Sequence, residues 1–105
     1  MSTESVVAHH MEALLTGDVD EVMKDYADDA VMITAGMGVA EGTEALRTAF
    51  SMIPMEMFAD FELVENTTSG ETAMVTWKTA ALSFGTDTFV VRDDKIVAQT
   101  VAFSA

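Results

Sequence analysis

The sequence contains no cysteine, which removes disulfides, thiolate catalysis and thiolate metal ligation together. Basic residues are scarce too: five Lys and Arg stand against eighteen Asp and Glu, for a net charge of −13. Lys24, Arg47, Lys78, Arg92 and Lys95 are scattered along the chain and form no patch. Nucleic acid and anionic membrane surfaces are therefore not expected partners, because affinity for both rests on cations that neutralise phosphate. The acidity itself speaks to solubility more than to fold or mechanism. No apolar run approaches the ~20 residues that span a bilayer. The opening "MSTESVVAHHMEALL" lacks the basic and small-residue features of a signal peptide, so the expected compartment is the cytoplasm.

Half of the 105 residues are hydrophobic, enough for one modest core, and the chain reads as a single domain over 1–105. Val7, Met11 and Leu14, flanked by Val6 and Leu15, form a helical stripe over 4–16. Gly17 closes that helix and Asp18-x-x-Glu21 opens a second over 18–26, with Val19, Val22, Met23 and Tyr26 at helical spacing. Asp28 and Asp29 then read as a turn, where Asp commonly bonds to backbone, before the short buried strand "AVMIT". A third helix starts near Thr43, with Leu46, Ala49, Phe50 and Ile53 on its apolar face, and Pro54 stops it.

From Met57 the period switches to two. Met57, Ala59, Phe61 and Leu63 alternate with acids in a first long strand, "NTTSG" (66–70) is a turn, and "TAMVTWKTA" returns with Ala73, Val75, Trp77 and Thr79 on one face. "TDTFVVR" and "KIVAQTVAF" follow, joined at Asp93-Asp94. Helices followed by a run of antiparallel strands argue an α+β fold.

Three phrases, "ALLTGDVDEVMKDYADDAVM" (13–32), "AEGTEALRTAF" (40–50) and "DTFVVRDDKIVAQTVAF" (87–103), resemble the superfamily of SnoaL-like, nuclear-transport-factor-like and ketosteroid-isomerase-like proteins. The resemblance implies three helices packed on a strongly curved, mostly antiparallel sheet, a cone-shaped barrel with a blind apolar pocket. It also implies a homodimer through the outer sheet face, for which Phe58 and Met74 would suit a sheet-to-sheet contact. Such isomerases use an Asp base with an oxyanion hole of Tyr and protonated Asp. Carried over position by position, the Tyr falls on His10, the base on Thr34 and the second Asp on Asp87. Threonine does not accept a proton near neutral pH, so ketosteroid isomerisation itself is not expected.

Asp87 carries most weight, because it alternates in phase with the apolar Phe89 and Val91. A desolvated carboxylate there has a raised pKa and suits a general acid or hydrogen-bond donor, unless it merely bonds backbone at the barrel rim. His10 sits at the edge of the first helix's apolar stripe, placed either to touch a ligand as base or partner, or to serve as a hydrogen-bonded core residue. His9 points away toward solvent, and the pair lacks a third ligand for a metal site. Gln99 shares a face with Val101 and Phe103, from which it could donate to a ligand carbonyl or satisfy Asp87. Trp77 offers a flat wall, and Tyr26 a hydroxyl within possible reach of the pocket. Thr34, Phe89 and Phe103 complete the candidate ligand contacts. Met11, Met32, Met37, Met52, Met55 and Met57 fall on elements that should line the cone, where they either adapt to apolar ligands or fill it.

The sequence therefore points to a pocket for a small, largely apolar molecule. With neither metal nor cofactor expected, it would be an acid–base enzyme of isomerase, cyclase or hydrolase type. The alternative is a non-catalytic ligand-binding or dimerisation module of the same fold.

Overall fold

The computed structural model describes residues 2–105 and places three helices ahead of and around one six-stranded sheet. Helix α1 (Thr3–Thr16) is held at its start by a reciprocal Ser2–Ser5 capping box and ends where Gly17 turns left-handed at φ 78°. Asp18 caps the short α2 (Val19–Met23) by accepting from the Glu21 N–H at 3.2 Å. Strand β1 (Tyr26–Thr34) and the short β2 (Gly38–Glu41) make a hairpin, and α3 (Thr43–Ser51) follows directly. A single 3-10 turn, Met55–Phe58, leads to the meander β3 (Glu62–Ser69), β4 (Thr72–Lys78), β5 (Phe84–Arg92) and β6 (Lys95–Ser104).

The strand order is β2-β1-β6-β5-β4-β3, with every neighbouring pair antiparallel except β1 and β6. The α+β class expected from sequence is present, but the sheet does not close into a barrel: β2 and β3 are free edges. Val6, Val7 and Met11 of α1 and Leu46 and Phe50 of α3 cover the inner face, which presents Val75, Phe89 and Ile96 to them.

Several boundaries differ from the sequence expectation. The second helix stops at Met23, and Tyr26 begins a strand, buried there as it would have been on a helix. Asp28 and Asp29 lie within β1, exposed where the pairing with β6 is interrupted by a register shift. α3 ends at Ser51, two residues short of Ile53. Met57 belongs to the 3-10 turn and not to a strand, because the chain leaving Pro54 must turn under the helices before it joins the sheet. Residues 66–69 continue β3, which is exposed along almost its whole length and so has no use for apolar residues. No helix among the described residues is long and apolar enough to cross a membrane.

The outer face has a distinctive composition. Val39, Ile33, Thr100, Thr88, Met74 and Thr67 stand in register across all six strands, a row without a charged side chain. Phe58 does not join this face. It lies half-buried in the 3-10 turn, on the opposite side of the sheet.

Candidate functional site

Between the helices and the inner sheet face lies a cavity of about 670 Å³. Met11 and Leu14 come to it from α1, Phe50 from α3, Met57 and Phe61 from the 3-10 turn and the segment after it. The sheet contributes Met32, Thr34, Val101 and Phe103. Five of the six methionines expected here do line it, and they surround space without filling it. Met37 and Met52 stand largely exposed at its wall. Met55 instead lies against Gly17, in a small separate cleft between the helices.

Asp87 is the only ionisable side chain on the cavity wall among the described residues. It lies mid-way along β5, opposite Val75 of β4 and Val101 of β6, and only 5 % of it is exposed. The register places its two partners on diagonals: Trp77 stands opposite Gly85, and Gln99 opposite Phe89. The Trp77 Nε1–H donates to Asp87 Oδ1 at 2.9 Å, and the Gln99 Nε2–H donates to Oδ2 at 2.8 Å. Gly85 makes the first bond possible. A Cβ at that position would lie 2.4 Å from indole ring carbons, so only a residue without one lets Trp77 lie across the strand. Phe61 stacks on the other side of the indole, with ring centroids 5.8 Å apart.

Burial pushes the Asp87 carboxyl up to about 6, and the bonds from Trp77 and Gln99 restrain the rise by favouring the anion. Near neutral pH the group is mainly an ionised acceptor, and a modest acidification converts it to a donor.

Behind Gln99 the polar chain continues away from the cavity. The Tyr26 hydroxyl donates to Gln99 Oε1 and lies 3.5 Å from His10 Nε2. The bonding pattern assigns the hydrogens: an ionised Asp87 only accepts, which fixes the Gln99 amide, and Tyr26 then commits its proton to Gln99. His10 Nε2 is thereby the donor to Tyr26, and Nδ1 is a buried acceptor without a partner in the described residues. Burial, helped by the neighbouring His9 charge, pushes the His10 pKa down to about 3, so the ring is neutral. Burial, with the Asp87 and Asp25 charges, raises Tyr26 well above its ordinary value and keeps it a donor.

The candidate residues thus divide into two groups. Asp87, Gln99, Trp77, Thr34 and Phe103 line the cavity. His10, Tyr26 and Phe89 do not. His10 is completely buried, edge-on to Tyr26, Phe50 and Phe89, and Phe89 is fully buried as well. The geometry therefore corrects the expectation that His10 stands at the pocket edge: α1 sinks it below the floor, and it connects to Asp87 only through Tyr26 and Gln99. His9 is not free in solvent either. Its Nδ1 lies 2.6 Å from Asp25 and its Nε2 2.9 Å from Glu21, bridging α1 to the α2–β1 connection. Phe61 and Gly85 were not legible as site residues. The available signal was a glycine inside a strand rich in β-branched and aromatic residues, facing the one tryptophan in the sequence.

A family model described as a SnoaL-like domain matches residues 7–99. Among solved structures, an NTF-2 like protein of unknown function from Burkholderia xenovorans LB400 superposes with a TM-score of 0.83 at 23% identity, over 97% of this chain and 82% of that one. SalBIII, an epoxide hydrolase/cyclase-like enzyme in pyran ring formation in the polyether salinomycin, gives 0.80 at 19% identity, over 97% and 90% of the two chains. A putative polyketide cyclase from Sinorhizobium meliloti gives 0.78 at 20% identity, over 96% and 99%. Likeness at these identities is likeness of fold. No curated protein matches the sequence.

Proposed function

We propose that this chain, which belongs to the SnoaL-like domain family, acts as a single domain that takes a small, largely apolar molecule into its cavity and moves one of that molecule's protons with Asp87. The observation that carries this reading is a nearly buried carboxylate, the sole ionisable group among the described residues of a largely apolar wall, held by two fixed donors. A pKa near the working pH suits a group that must both take a proton and give it back. Asp87 would accept a proton from one atom of the ligand and return it to another, the chemistry of an isomerase or a ring-closing or ring-opening enzyme. Gln99 and Trp77 position the carboxylate, and Phe61, backed by Trp77, forms part of the wall on which a ring-shaped body would rest. SalBIII and the putative polyketide cyclase share this fold and point to the same reaction types.

His10 has no direct part in this scheme, since neutral and sealed it cannot act as a base toward the ligand. A second reading, a ligand-binding module without turnover, draws on the same observation. Thr34 stands on the wall where a related isomerase would keep its base, leaving Asp87 without a second proton-handling group.

The test is a thermal-shift and turnover screen of apolar ketones, epoxides and amines with wild type and Asp87→Asn. Ligand binding raises the melting temperature by linkage. Turnover that disappears in the variant while binding persists supports the enzyme. Binding by both without turnover by either supports the module. No binding by either defeats both readings.

We further propose a homodimer joined through the outer sheet face. On a chain of net charge −13, an uncharged row spanning six strands is where two like-charged copies can approach.

A further inference from the structure

We infer that the head group of the cavity's occupant is a cationic amine, so that the molecule it takes is an apolar ammonium seated on Asp87. This inference deepens the reading above by naming the ligand class, and it rests on the cavity being a ligand site at all.

Three observations carry it. The wall has one charged side chain, an acid, and no Lys, Arg or His among its described residues, so nothing in it could neutralise a ligand carboxylate or phosphate. Each Asp87 oxygen already takes a bond from a neutral donor, and neither donor supplies a countercharge. Moreover, the desolvation of this carboxylate was incurred on folding, with its position fixed in advance. A cation entering the cavity therefore loses only its own hydration to gain an oriented anion.

The remaining walls favour the same class. Phe61, Phe50, Phe58 and Phe103 bring aromatic side chains to the chamber, and aromatic rings attract cations while accepting the apolar body of the ligand. Eighteen acids against five bases give the whole chain a field that draws cations and repels anions. A ketone presents only acceptor atoms, and the ionised carboxylate repels those. The neutral donors on the wall, the second amide hydrogen of Gln99 and the hydroxyls of Thr34 and Thr48, carry no charge to favour a ketone over an ammonium.

Trp77, the only tryptophan in the sequence, is bonded to Asp87 and lines the cavity, so its fluorescence reports directly on the site. Three probes with one body and different heads make the test: 1-adamantylmethylamine, 1-adamantylmethanol and adamantane-1-carboxylate. At pH 7.5 the amine is expected to bind tighter than the alcohol by about tenfold, with the carboxylate weakest. That preference should vanish at pH 5, where Asp87 is protonated and the other titratable groups of its chain, Tyr26 and His10, remain neutral. It should vanish also in Asp87→Asn, while the alcohol binds both proteins alike. The wild type at pH 5 keeps the test decisive if the variant does not fold. Alcohol or carboxylate binding at least as tight as the amine at pH 7.5 overturns the inference and leaves the pocket reading standing. Failure of all three probes to bind the folded wild type overturns both.

Discussion

Gln99 and Asp87 belong to adjacent strands but are not register partners, and a 2.8 Å N–H···O bond nevertheless joins their side chains along the sheet diagonal. The bond ties the one charge among the described residues of the cavity wall to a buried polar chain that ends at His10. Changes made well below the cavity floor are therefore expected to reach Asp87.

Replacing Gln99 with Leu removes one of the two donors that favour the Asp87 anion. The Asp87 pKa should then rise above its native value of about 6, as read by carbon NMR titration of the side-chain carboxyl. The same change leaves the Tyr26 hydroxyl buried without its acceptor, which should lower stability by about 1–3 kcal/mol in urea denaturation. An unmoved Asp87 pKa would show that Gln99 does not hold the carboxylate.

Asp87 also makes folding depend on pH, in the direction opposite to that of a salt-bridged carboxylate. Its pKa is 3.8 unfolded and about 6 folded, so the native state holds the proton to higher pH than the unfolded chain does. Its contribution is most favourable below pH 3.8 and falls as pH rises through 6, by about 3 kcal/mol in total. The stability of Asp87→Asn relative to wild type should thus improve between pH 4 and pH 7.5. Comparing the two proteins at each pH cancels the other carboxylates. A constant difference would mean that Asp87 is not buried in solution.

His9 acts in the same sense, in a higher pH window. Hydrogen bonds to Asp25 and then Glu21 raise its pKa above 6.5, with their charges adding to the effect against a small burial cost. Both ring nitrogens face carboxylates, so the charged imidazolium is the form that joins α1 to the α2–β1 connection. Lys24 on Glu21 and Lys95 near Asp25 complete the charges around it. This clamp stabilises the fold fully below pH 6.5 and is lost as pH rises through the elevated value. His9→Gln should be less stable than wild type at pH 6 and equal to it at pH 9. A deficit of the same size at both values would count against the clamp.

Gly85→Ala tests how the Trp77 indole is seated. The added methyl would lie 2.4 Å from ring carbons, so the ring is expected to shift and its bond to Asp87 to weaken. A stability loss of about 1–3 kcal/mol, as for overpacking elsewhere, should accompany a shifted Trp77 emission maximum. An unchanged spectrum would place the indole elsewhere.

Met74→Lys tests the proposed dimer. It puts a charge mid-way along the uncharged outer row while reducing the chain's net negative charge. The expected result is a dimer mass by light scattering for wild type and a monomer mass for the variant. A monomeric wild type would rule the interface out.

The parts of the fold that bury one clean face were legible in the sequence. α1, α3, β4, β5 and β6 follow from their periodicity, and the alternation of Asp87 with Phe89 and Val91 put the key carboxylate on the inner face. Elements without such a face are not legible in this way. β3 looks like a turn over residues 66–69 because an exposed edge strand needs no apolar pattern. Tyr26 fell on helical spacing by coincidence, since both a helix and a strand would bury it. The connection from Gln99 through Tyr26 to His10 was not legible. It joins three elements distant in sequence, and their spacing depends on how α1 and β1 settle against β6.

The position of β6 has a consequence for how the molecule assembles. It is the only strand joining the β1–β2 hairpin to the β5-β4-β3 meander, and it does so by a parallel pairing that brings position 26 beside position 96. Neither half of the sheet can cover the methionine-lined face alone, so productive folding waits for one long-range encounter. Such topologies fold on the order of milliseconds to seconds, whereas local contacts form in microseconds. The Asp93-Asp94 turn, with both residues left-handed at φ 52° and 62°, favours local pairing of β6 with β5, which is expected to precede that encounter. A chain cut at this turn should therefore yield two fragments that regain native structure only when mixed.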